Sequence, residues 1–150
     1  LDCRSMDVKE SSRITVRTRA CKDYSEEYQA LYHEHMAKML EERPWIWSSH
    51  VWNMFDFGCA ARNEGGVAGR NNKGLMTIDR KVKKDSYYIY QAYWNKKPMV
   101  HLCGKRYAQR AGEMTQIRVY SNQPSVILFL NGEKSRRTFP QTKCLYLQWH

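Results

Sequence analysis

Residues 45–57, WIWSSHVWNMFDF, constrain this chain more than any other stretch. Pro44 stops whatever helix precedes them, and the thirteen residues pack Trp, Ile, Val, Met and Phe together without a helical polar face. That pattern predicts a strand buried on both sides. A helix is expected just before it. From Ser25 to Arg43, Tyr28, Leu31, Tyr32, Met36, Met39 and Leu40 recur at three- and four-residue steps, with Ser25 as N-cap and Glu26 and Glu27 in the first turn. Helix followed by buried strand is an α/β unit. The next seventeen residues, GCAARNEGGVAGRNNKG (58–74), are longer than a compact domain normally spends on a connection, and such loops usually carry function.

Beyond the loop, Leu75 to Ile78 reads as a short extended piece and Lys83 to Trp94 as a second helix, with Tyr87, Tyr90 and Trp94 on one stripe. Pro98 ends that regime. The period then switches to two, in MVHLC (99–103), MTQIRVYSN (114–122) and SVILFLNGE (125–133), with Asn131-Gly132 as a hairpin signal. The chain therefore divides near residues 95–98 into an α/β part and an antiparallel all-β part. Residues 1–24 are left unassigned.

Charge bounds the function classes. The net charge is +10, and residues 62–110 hold twelve basic and three acidic side chains, a local excess of nine. Lys81, Lys83, Lys84, Lys96, Lys97, Lys105 and Arg106 beside Tyr and Trp would suit phosphates and bases, yet no helix-turn-helix, RNP or finger spacing accompanies them. A solvated basic face is the expectation, with no nucleic-acid partner. No apolar run reaches the roughly 18 residues of a spanning helix, and LDCRSMDVKE offers no leader-like apolar core, so a cytoplasmic setting without membrane contact is expected. Cys3, Cys21, Cys59, Cys103 and Cys144 are scattered and odd in number, and are read as reduced thiols.

Residues 27–94 contain the string RPWIW, VWNMFDF, RNEGG, NNKGL and DRK in order, and on these motifs the chain resembles glycoside hydrolase family 2, the β-galactosidases and β-glucuronidases. The resemblance extends to about Glu133 and leaves residues 1–24 and 134–150 outside it. It implies that residues 25–96 are the last helix and strand of a (β/α)8 TIM barrel with the final barrel helix. Residues 97–150 would begin an immunoglobulin-like β-sandwich, so the chain would be a fragment of the whole.

Retaining glycosidases of this kind need two carboxyl groups about 5–5.5 Å apart. In the family both lie on earlier barrel strands, so the resemblance implies no catalytic residue here and no hydrolysis by this chain alone. Glu64, next to Asn63, is read as a loop carboxylate, and Glu26, Glu27, Glu34, Glu41 and Glu42 as surface charges. What remains is one wall of a sugar site. Trp52 by resemblance offers its indole face to a sugar ring, the alternative being barrel core, which is the expectation for Trp45 and Trp47. Asn71 and Lys73 resemble the Asn-x-Lys segment that grips the sugar carboxylate in the glucuronidase branch, or else simply shape the turn before Gly74. Asp56 would hydrogen-bond a sugar hydroxyl or pair with Arg62 to hold the loop. His50 is expected in the strand core. No metal and no cofactor are expected. The expected partners are a β-galactoside or related glycoside and the remainder of the barrel, with room for an oligomeric parent. The galactosidase branch is preferred over the uronate branches, and a non-catalytic carbohydrate-binding piece is the alternative from another class.

Overall fold

The computed structural model describes residues 25–62, 67–106, 115–139 and 143–149. Glu64, Cys3 and Cys21 lie outside them. The described residues form two helices and seven strands: α1 (Glu26–Glu41), β1 (Phe57–Gly58), β2 (Arg70–Asn71), α2 (Asp85–Trp94), β3 (Val100–Leu102), β4 (Thr115–Ser121), β5 (Val126–Leu130), β6 (Glu133–Phe139) and β7 (Cys144–Trp149). Helix α1 starts where its cap says it should, the Ser25 hydroxyl accepting from the Tyr28 N–H at 3.1 Å. No helix among the described residues is long and apolar enough to cross a membrane.

Strands β3, β4 and β7 form an antiparallel sheet in the order β3-β4-β7. β5 and β6 form a separate hairpin, in which Leu130 faces Glu133 across Asn131 and Gly132. Both turn residues have positive φ, 50° and 85°, as the Asn-Gly pair leads one to expect for a two-residue hairpin loop. The helices and the first sheet share one core: Ala30 and Ala37 from α1, Ile89, Tyr90 and Ala92 from α2, Leu75 from the loop end, and Cys103 and Tyr120 from the β half. Apolar burial thus crosses the junction at residues 95–98.

Three expectations need correction. Residues 46–54 form no ladder, and Trp45, Trp47 and Trp52 are 74%, 95% and 67% exposed, with His50 exposed as well. A strand buried on both sides needs a neighbour on each edge and a layer on each face, and the described residues give residues 46–50 none. The acidic side chains of the first helical segment are not all surface charges. Glu26 is buried, accepting from the Asp85 N–H at 2.7 Å and pairing with Arg106. Glu34 lies under the sheet, accepting from the hydroxyls of Tyr120 and Tyr146, while Arg118 reaches both Glu27 and Glu34 at 3.5 Å. Of these glutamates only Glu41 and Glu42 are exposed. The helical pattern hid this because Arg118 and Tyr120 sit about ninety residues downstream. Lys84, finally, belongs to no solvated face: it is 4% exposed.

Candidate functional site

The loop after residue 57 leaves and returns alongside its own start. Phe57 pairs with Asn71 and Gly58 with Arg70, and the Cys59 N–H donates to the Gly69 carbonyl at 2.7 Å. The chain then runs back beside residues 53–56: the Leu75 N–H donates to Asn53 O, Met76 N–H to Met54 O and Asp56 N–H to Met76 O, each at 2.9 Å. This lays the Asn-Asn-Lys-Gly turn (71–74) next to Trp52–Asp56.

The turn is held on every side. Asn71 is buried, and its Oδ1 accepts from the Lys73 N–H at 3.0 Å. The Asp56 carboxylate accepts from the Gly74 N–H and from Lys84 Nζ, both at 2.8 Å, and Lys84 Nζ also donates to the Asn72 carbonyl at 2.9 Å. Asp56 and Lys84 form a buried ion pair, their side chains 4% and 5% exposed. From α1, the Gln29 amide donates to the carbonyls of Lys73 and Gly74, each at 3.1 Å. Gly74 is required sterically: a Cβ there would lie 2.1 Å from the Asp56 nitrogen and 2.2 Å from the Phe55 carbonyl carbon.

Beside the turn is an open cleft of about 540 Å³ lined by Trp52, Asn53, Phe55, Asp56, Ile78 and Arg80 among others. The Trp52 indole meets the Phe57 ring edge-on at 6.0 Å, and the peptide joining Trp52 to Asn53 is cis. Arg80, on a tight turn with φ 62°, lays its guanidinium over the Phe55 ring at 4.6 Å. The expected site residues therefore separate by place. Trp52 is on the cleft, and Asp56 is on its floor with its carboxylate turned to Lys84 and Gly74. Asn71 and Lys73 are on the adjoining turn. Arg62 is within the loop, where its carbonyl accepts from the Gly69 N–H at 2.7 Å. Arg80, Gln29 and Lys84 were not singled out by sequence. A lone Gln in an amphipathic helix carries no signal, and a Lys beside other basic residues reads as surface.

Deeper in the core, His33 hydrogen-bonds Tyr90 at 2.8 Å, and burial, helped by the nearby Lys84 cation, pushes its pKa down to about 4. Asp85, His101 and Cys103 bring one ligand-type atom each within 4.8 Å of one another. Both Asp85 oxygens are engaged there, Oδ1 with His101 Nε2 at 3.0 Å and Oδ2 with the Gly104 N–H at 2.9 Å, while burial drives the Cys103 thiol pKa upward and keeps it protonated. Cys59, Cys103 and Cys144 are thiols, joined in no disulfide among the described residues.

A solvent-facing aromatic beside a buried, charge-anchored loop suits a carbohydrate site, and the chain's homologues are glycoside hydrolases. It is homologous to part of the β-glucuronidases and β-galactosidases, which are members of glycoside hydrolase family 2. A β-glucuronidase of Bacteroides fragilis is 46% identical over 110 residues, 73% of this chain and 16% of that protein. The crystal structure of an FMN-binding β-glucuronidase from Faecalibacterium prausnitzii L2-6 superposes with a TM-score of 0.87 at 60% identity, covering 98% of this chain and 22% of that one. A β-galactosidase of Bacteroides ovatus is 26% identical over 118 residues, 78% of this chain and 14% of that protein. No family model matches the chain. The chain spans about a sixth of the B. fragilis protein.

Proposed function

We propose that this chain is a segment of a retaining β-glucuronidase and supplies the wall of the sugar site that recognises the sugar's carboxylate. The observation that carries this reading is the Asn71–Gly74 turn, immobilised beside the Trp52 cleft by Asp56, Lys84 and Gln29. An ammonium and an amide on a rigid turn suit a uronate, because charge-assisted hydrogen bonds are strongest in a fixed geometry. The relatives move the preference from galactoside to glucuronide: the glucuronidase of B. fragilis is 46% identical and the galactosidase of B. ovatus 26%.

In this reading Trp52 stacks on the apolar side of the ring, Lys73 with Asn71 pairs the carboxylate, and Asp56 holds the turn. Arg62 braces the loop. The two catalytic carboxyl groups come from elsewhere in the enzyme. Residues 25–96 contribute the closing strand and helices of a (β/α)8 barrel, and residues 97–150 open an immunoglobulin-like sandwich. The exposed band Trp45, Ile46 and Trp47 is the edge that the remaining barrel covers; exposed apolar surface of this kind marks an interface. FMN is a property described for the F. prausnitzii protein, set against the expectation of no cofactor, and visible flavin absorbance of the purified full-length enzyme decides between them.

The test uses the full-length enzyme on nitrophenyl β-glucuronide and nitrophenyl β-galactoside. Lys73→Ala is expected to lower kcat/KM for the glucuronide by on the order of a hundredfold, the loss of one hydrogen bond to a buried charge, and to leave the galactoside nearly unchanged. A galactoside preference that survives the substitution returns the galactosidase reading.

A further inference from the structure

Gln29 is 1% exposed, and both ends of its amide are used. Nε2 donates to the Lys73 and Gly74 carbonyls at 3.1 Å, and Oε1 accepts from the Ser86 hydroxyl on α2 at 3.2 Å. Carbonyls only accept, so the NH₂ must face the turn, and Ser86 occupies the oxygen that remains. Filling this volume with Leu would avoid the desolvation of an amide. That desolvation is offset by the bonds to those two carbonyls and to Ser86.

The geometry of Lys73 shows what those bonds hold. Its N–H is fixed by Asn71 Oδ1 and its carbonyl by Gln29 Nε2. These bonds set the peptide planes on either side of the Lys73 Cα, hence its φ and ψ, hence the direction in which its side chain leaves the backbone. The next carbonyl, at Gly74, is fixed by the same amide, and the Gly74 N–H by Asp56. Helix α1 thus reaches across the core to the backbone of Lys73 and Gly74.

We propose that Gln29, oriented by Ser86, is a positioning residue that sets selectivity for acidic over neutral sugars by aiming Lys73. The inference rests on the glucuronidase reading above. A misplacement near 1 Å at a reacting or binding group can cost roughly a hundredfold, so the effect is measurable without any contact between Gln29 and the sugar.

The experiment uses the full-length enzyme, with kcat/KM for nitrophenyl β-glucuronide and the inhibition constant of neutral gluconolactone, which occupies a sugar site without a carboxylate. Gln29→Glu, nearly isosteric, sets an acceptor against two carbonyls. It is expected to lower glucuronide kcat/KM by roughly ten- to a hundredfold while gluconolactone inhibition shifts less than about threefold. Ser86→Ala, which removes one hydroxyl and spares the fold if Gln29→Glu does not, is expected to act in the same direction by about threefold. Parallel losses on both ligands, or wild-type behaviour of both variants, overturn the positioning role. Lys73→Ala separates the premise: if it leaves glucuronide turnover intact, the carboxylate reading fails whatever Gln29 does, and if it collapses turnover while the Gln29 and Ser86 variants do not, only the positioning inference fails.

Discussion

Replacing Gly74 by Ala tests the turn at its tightest point. The added methyl would sit 2.1 Å from the Asp56 nitrogen, 2.2 Å from the Phe55 carbonyl carbon and 2.8 Å from Asp56 Oδ1. Two of these atoms are backbone in the segment that pairs with residues 75 and 76, so no side-chain rotation relieves them. The two segments must part by about 1.3 Å before an ordinary 3.4 Å contact returns. Overpacking of this sort costs about 1–3 kcal/mol. The same displacement stretches the 2.8 Å bond from the Gly74 N–H to the Asp56 carboxylate, whose loss adds about 1.5–3 kcal/mol. The expected total is roughly 2.5–6 kcal/mol. Thermal unfolding and hydrogen exchange of residues 72–76 in the full-length enzyme measure it, with Gly58→Ala as control. A methyl added at Gly58 would meet nothing within 4 Å, so that change should stay within about 0.5 kcal/mol. Equal stability of the Gly74 and Gly58 variants would refute a turn locked by close backbone approach.

Lys84→Met leaves the Asp56 carboxylate without its cation at 2.8 Å and the Asn72 carbonyl without its 2.9 Å donor, and should destabilise by about 3 kcal/mol in denaturant unfolding. Most of that loss should vanish when Asp56→Asn is added, because the double variant buries no lone charge. His33 carries a pKa of about 4 when folded against 6.5 in the unfolded chain, so the unfolded state binds the extra proton between those values. Its contribution is complete above pH 6.5 and is lost as pH falls toward 4, about 3 kcal/mol over the interval. His33→Gln should flatten that part of the pH–stability curve. Trp52→Ala should lower kcat/KM on glucuronide and galactoside alike, by about 1–3 kcal/mol, as expected for one stacking surface.

Local signals in the sequence were reliable where the cause is local. Ser25 caps α1, the helix ends before Pro44, α2 ends at Trp94, and Asn131-Gly132 turns the hairpin. Long-range causes were invisible. Glu26, Glu34 and Lys84 look like solvated charges within their own segments, and partners from elsewhere, among them Arg106, Arg118, Tyr120 and Asp56, compensate their burial. The apolar stretch at 45–54 was legible as a strand because apolar composition records the environment a segment is built for. Here the described residues give residues 46–50 no ladder, the backbone pairing begins only at Asn53 and Met54, and the tryptophans stand exposed. Of the residues on the cleft and the adjoining turn, Trp52, Asn71, Lys73 and Asp56 were named from motifs. Gln29 was not, since an isolated buried amide follows no spacing rule.

A crystal structure of the full-length enzyme with glucuronate bound would show directly whether the Asn71–Gly74 turn reads the sugar's acid group. Lys73 Nζ is expected at about 2.7–3.2 Å from the sugar carboxylate, with the Trp52 indole against the ring. A carboxylate held by other cations, with Lys73 turned away from the sugar, would contradict the uronate-recognition role.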